Sequence, residues 1–121
     1  MAIQENSIKI VKGGSVAGDD KSTTANLTEE DTYITYGGED DLWGETWSYS
    51  DINSSGFGVA CSFKGTSLTT HYLKATNFGF SIPDDSIING IKAEIKQEYT
   101  IVSGNGIAKI DHIRITIYYT S

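Results

Sequence analysis

Two histidines, runs of carboxylates and one aromatic corner are the parts of this 121-residue chain whose residue types could do chemistry. His71 and His112 with a carboxylate would make a transition-metal site, because imidazole nitrogens and carboxylate oxygens are ordinary zinc ligands. They stand far apart in sequence, each where a strand's outer face is expected, so they read as surface histidines and no metal site is assigned. Asp19-Asp20, Glu39-Asp40-Asp41 and Asp84-Asp85 hold the oxygen ligands that calcium takes. None has an ordered ligand spacing, and they read as solvated loops. Glycoside hydrolysis needs paired carboxylates across a cleft, one with a raised pKa. Acids confined to turns in so small a chain do not support it. Serines and threonines abound, yet no nucleophile motif surrounds one. The expectation is no enzymatic activity, no catalytic or metal residue and no cofactor.

The aromatic corner runs from Tyr36 to Val59 and holds both tryptophans among glycines and other turn formers. A buried Trp brings on the order of 200 Å² of apolar surface, so Trp43 and Trp47 are expected to anchor one end of a small core. The functional reading of the same residues is a stacking platform for sugar rings made by Trp43, Trp47 and Tyr49. Asp51-Ile52-Asn53-Ser54 resembles a capped helical turn too short to become a helix.

The elements that must position these residues are strands. Ile8 and Ile10 alternate against Lys9 and Val11, Gly13-Gly14 turns the chain, and Ser15 to Ala17 returns it. The polar stretch from Gly18 to Asp31 is too long to be wholly irregular, and an edge strand is expected near Thr23 to Leu27. Thr32 to Tyr36, Phe57 to Lys64, Thr69 to Ala75 and Phe78 to Ile82 read as further strands, and Pro83-Asp84-Asp85-Ser86 as a turn. Asn89 to Tyr99 sets Ile91, Ala93, Ile95, Gln97 and Tyr99 against a charged face of Lys92, Glu94, Lys96 and Glu98. Ser103-Gly104-Asn105-Gly106 marks a hairpin, since Asn-Gly suits a turn with two positive φ values. The last strand changes phase between Ile110 and Ile113, which predicts a bulge near Asp111. The fold class is all-β: one antiparallel sandwich, jelly-roll-like, of about eight or nine short strands.

A chain of this size is a single domain with core enough to fold without staples. Cys61 is the one cysteine, lies in an alternating apolar run, and cannot form an intrachain disulfide. A net charge of -7 with nine scattered lysines and arginines argues against nucleic acid as a partner. No signal peptide and no membrane-spanning run of apolar residues is visible.

The blocks IKIVKGGSVAGD (8 to 19), TYITYGGEDDLWGETWSYSDINSSGFGV (32 to 59), FGFSIPDDSIINGIKAEI (78 to 95) and DHIRITIYYT (111 to 120) resemble a family of small phage and prophage virion or tail-associated domains. The resemblance covers most of the chain. Its segments stand in another order, with the FGFSIP block third rather than first. The resemblance implies a non-enzymatic structural, decoration or tail-fibre module located in the virion. It would pack against itself or neighbouring virion proteins, through edge strands that carry no gatekeeping proline. Two alternatives stay open: a carbohydrate-binding or adhesion module meeting a cell-surface glycan, and a rearranged or engineered scaffold of that family.

Overall fold

Alternation decides the frame. In the computed structural model Ile8 and Ile10 lie opposite Cys61 and Val59 on one sheet, Ile91, Ala93 and Ile95 line another, and all are buried in one core. The structure describes residues 3–23, 27, 32–65, 73–102 and 105–121, with the backbone alone at 98–102, 105–109 and 111. The elements are β1 (Gln4–Lys12), β2 (Ser15–Ala17), β3 (Thr32–Gly38), a short helix α1 (Tyr49–Asn53), β4 (Gly58–Lys64), β5 (Leu73–Thr76), β6 (Ile87–Val102) and β7 (Asn105–Thr120). One sheet runs β2-β1-β4-β5 and the other β3-β6-β7, and every ladder is antiparallel. The protein is therefore an all-β sandwich, with seven strands among the described residues where eight or nine are expected. Both sheets contribute apolar residues to the same cluster, as the layered packing of two half-apolar sheets requires.

Local chemistry explains most boundaries. Gly13 and Gly14 take φ of +60° and +84°, the pair of left-handed residues that a tight hairpin needs, and Lys12 pairs with Ser15 around them. Ser86 closes the proline turn by donating its amide to the Pro83 carbonyl at 3.3 Å. The phase change in the last strand is a bulge: Lys96 pairs with His112 and Gln97 with Ile110, leaving Asp111 as the extra residue. The helical turn does extend to five residues, because Ser48 caps it and Asp51 closes a reciprocal capping box.

Two expectations are corrected. Phe78 to Ile82 forms no strand: Asn77 and Gly79 have φ of +62° and +77°, which breaks the extended run. Asn53 takes the place of a strand partner for Ile82, accepting its N–H at 2.7 Å and donating to its carbonyl at 3.0 Å. The hairpin expected at Ser103-Gly104-Asn105-Gly106 is present between β6 and β7, but Asn105 and Gly106 themselves pair with Val102 and Ile101 inside β7; residues 103 and 104 lie outside the described residues. Only the later part of the Thr69 to Ala75 strand is described, as β5 from Leu73. Of the edge strand expected near Thr23 to Leu27, residues 24–26 lie outside the described set. The Leu27 amide does bond the Ile3 carbonyl at 2.8 Å.

No helix of the described residues is long and apolar enough to cross a membrane.

Candidate functional site

Trp43 is the centre of the aromatic corner, and its ring is fully buried. Its φ of +58° is unusual for a bulky residue, and the conformation is held from several sides. The indole Nε1 donates to the Ile91 carbonyl at 2.9 Å, and the Trp43 carbonyl accepts from the Asp19 amide at 2.8 Å. Gly37 leaves the room for this packing, since a Cβ there would fall 2.6 Å from the indole nitrogen and 2.3 Å from the Ile91 oxygen. Lys21 lies 5.7 Å over the ring and pairs with Asp41 at 2.7 Å.

Trp47 and Tyr49 are only half buried. Trp47 donates to the Leu42 carbonyl at 2.9 Å and meets Phe57 edge to face with centroids 5.5 Å apart. Lys12 reaches across its ring at 5.4 Å while bonding the Thr46 carbonyl at 2.7 Å. The structure thus places one of the three platform candidates in the core and holds a second between a phenyl edge and an ammonium. Trp43, Trp47 and Tyr49 do not share an open face.

Asp20 and Asp41, from two of the acidic runs, are engaged in local bonding. Asp20 accepts from the amides of Ile8 at 3.0 Å and Ser22 at 2.9 Å, tying the chain after β2 to the edge of β1. Partial burial alone would raise its pKa, but these N–H bonds and the Lys9 charge outweigh it and hold the carboxyl below its usual value. Asp41 behaves alike: burial raises it, and the Lys21 ammonium with the Trp43 amide lowers it further than burial lifts it. No group of three His, Cys, Asp or Glu among the described residues could hold a metal ion. His112 lies exposed in β7, and His71 is outside the described residues.

One polar set is buried that the sequence reading did not single out. Glu5, Tyr36 and Gln97 are 6%, 3% and 3% exposed. The Tyr36 hydroxyl donates to the Glu5 carboxylate and accepts from the Gln97 amide at 2.8 Å, while the Thr23 amide donates to Glu5 at 2.9 Å. Glu5 faces inward because β1 has a bulge between Glu5 and Ser7 that reverses its alternation. Ile3 is the signal that could have revealed it: this core residue is odd-numbered, whereas Ile8 and Ile10 are even.

Burial, reinforced by the Glu5 charge, pushes the Cys61 thiol up to about 11, and the residue is 1% exposed. A thiol held protonated and out of solvent is inert. In native protein at pH 8 a thiol-reactive colorimetric reagent should leave Cys61 unmodified over minutes and react fully once denaturant is added. Prompt reaction without denaturant would show that the β4 core opens readily.

The surfaces left over are sheet surfaces. On the outside of the β3-β6-β7 sheet Arg114 donates to Glu94 at 3.0 Å and lies 3.9 Å over the Tyr33 ring, so one side chain spans three strands. This is the charged, solvated face expected of β6. Among the described residues no strand pairs with the outer edge of β7 between Ile113 and Thr120. Along that edge Ile113, Ile115 and Ile117 are only partly buried against the core, and Tyr119 is 43% exposed. No family model, curated protein or solved structure matches this chain.

Proposed function

We propose that the chain is a non-enzymatic structural module of a phage or prophage virion, and that it works by packing against copies of itself. The sequence blocks shared in kind with small virion-associated domains support the virion setting. The observation that carries the packing is β7. It is a 16-residue strand whose outer edge pairs with no other strand among the described residues, and Ile113, Ile115 and Ile117 on its inward row are only partly buried. A long edge of this kind, without proline, is a template for another strand.

Among the described residues β3 pairs with β6 as far as Gln97, and five further β6–β7 pairs, from Glu98 with Lys109 to Val102 with Asn105, carry the hairpin on. A second copy is the partner whose chemistry fits. Two β7 edges set antiparallel about Ile115 would place Ile113 beside the other copy's Ile117 and Arg114 beside Thr116, so no like charges oppose. A register centred one residue earlier would set Arg114 against itself.

Light scattering on a sizing column tests this. The 13.1 kDa chain should elute as a discrete multiple of its mass. Thr116→Arg, at an exposed position, should return it to a monomer of unchanged circular dichroism, because each new arginine then opposes Arg114 of the other copy. A monomer at every concentration, or an oligomer indifferent to Thr116→Arg, would overturn packing through β7.

A further inference from the structure

A second site lies at the far end of β7, where three separate parts of the chain meet. After β3 the chain turns tightly at Gly38 to Asp41, with the Asp41 amide bonded to the Gly38 carbonyl at 3.3 Å, so Glu39 and Asp40 stand at the tip of the turn. The Asp41 carbonyl in turn accepts from the Ile91 amide at 2.8 Å and fastens the turn to β6. Gly90 makes that seat. A Cβ there would come within 2.3 Å of the Glu39 carbonyl oxygen and 2.4 Å of the Gly38 carbonyl oxygen, so a larger residue would drive the turn off the strand. Next to Gly90, Asn89 is a bulge residue: Ile88 pairs with Tyr119 and Gly90 with Tyr118, and Asn89 has no opposite number. Bulges of this kind re-aim a side chain. The Asn89 amide donates to the Thr120 hydroxyl at 2.8 Å, which keeps it at the rim. The result is an open cleft of about 420 Å³ lined by Glu39, Asp40, Asn89, Tyr118 and Tyr119.

We propose that this cleft binds a neutral sugar ring. Its volume falls within the range of ordinary ligand sites. Its groups suit a saccharide one by one. Carboxylates only accept hydrogen bonds, Asn both donates and accepts, and Tyr adds an apolar ring with a hydroxyl. A sugar's hydroxyl groups both donate and accept, and its C–H face can lie on a ring. The two carboxylates, with no basic group among the described lining residues, disfavour phosphate, uronic acids and sialic acid. The site shares no residue with the expected platform of Trp43, Trp47 and Tyr49; its Tyr118 and Tyr119 lie at the end of the β7 edge, beside the row proposed for packing.

The test is a titration of the full, nitrogen-15-labelled chain followed by NMR. The probes are glucose-, galactose- and N-acetylglucosamine-ended neutral trisaccharides, with 3′-sialyllactose as the acidic control and lysine methyl ester as a cationic one. At least one neutral trisaccharide should shift the Asn89 side-chain amide and the backbone of residues 38–41 and 118–120. The expected affinity is on the order of 1 mM, little changed by added salt. Sialyllactose should bind about tenfold more weakly or not at all. Tyr119→Ala and Asp40→Asn, both at exposed positions, should each weaken binding about tenfold while the remaining spectrum holds. The proposal is overturned if no neutral trisaccharide binds or if the shifts fall elsewhere. It is equally overturned if both variants bind as before, or if only the amine binds and salt abolishes it.

Discussion

Trp43→Ala should remove about 3–5 kcal/mol of stability, a large part of the 5–15 kcal/mol that a domain of this kind possesses. The size follows from what the ring does. Trp43 is wholly buried among residues from both sheets, its indole nitrogen satisfies the Ile91 carbonyl inside the core, and its backbone holds a left-handed conformation. That conformation costs roughly 1–2 kcal/mol, which ring burial offsets and alanine would leave unopposed. Removing the ring also strands the Ile91 oxygen and empties the space that Gly37 keeps free. Trp47→Ala should cost less than half as much, since that ring is partly in solvent. Urea unfolding is the measurement, with the remaining tryptophan as reporter. A loss below about 1 kcal/mol for Trp43→Ala would mean that the corner collapses into the gap, and that the core is organised elsewhere.

The contrast between the two tryptophans also marks what could be read from the sequence. That the corner anchors the core was legible from residue type, because two large aromatics among turn formers have few other uses. Which one is buried was not legible, because it depends on a positive φ at Trp43 and on the approach of β6 from fifty residues away. Alternation gave Ser15 to Ala17, the faces of β6 and the bulge at Asp111, since a change of parity in a long strand has one simple cause. It failed from Phe78 to Ile82, where apolar parity was kept but two positive φ values and the Asn53 side chain replaced a strand. It also missed Glu5, whose inward turn depends on a bulge that only the parity of Ile3 against Ile8 and Ile10 signals. The cleft was hidden for a third reason. Glu39, Asn89 and Tyr119 are brought together only by sheet order, and no local pattern reports that order.

Tyr36→Phe should cost about 3 kcal/mol and lower the melting temperature by on the order of 10 °C, although it removes a single oxygen atom. That oxygen donates to Glu5 and accepts from Gln97 in a region closed to solvent. Without it the buried Glu5 carboxylate keeps, among the described residues, the Thr23 amide alone, and Gln97, whose side-chain oxygen already has no partner there, loses its contact to the pair. Combining Tyr36→Phe with Glu5→Leu should cost less than the sum of the two, by about 1–2 kcal/mol, because removing both partners leaves no stranded charge. Strict additivity would deny that the groups act as a unit. The same set predicts an alkaline limit. Burial, then the Glu5 bond and charge, raise the Tyr36 phenol well above its ordinary 10, and burial with Glu5 raises Cys61 from 9 to about 11. Both groups stay protonated in the folded protein at pH values where the unfolded chain releases their protons. Their contribution is therefore intact below pH 9, falls between 9 and about 11 through Cys61, and falls further above 10 through Tyr36. Urea midpoints measured from pH 8 to 11 should decline along that course, with Cys61→Ala flattening the earlier part and Tyr36→Phe the later. A midpoint indifferent to pH would show that these protons exchange with solvent in the folded state, and that the polar set is not sealed in the core.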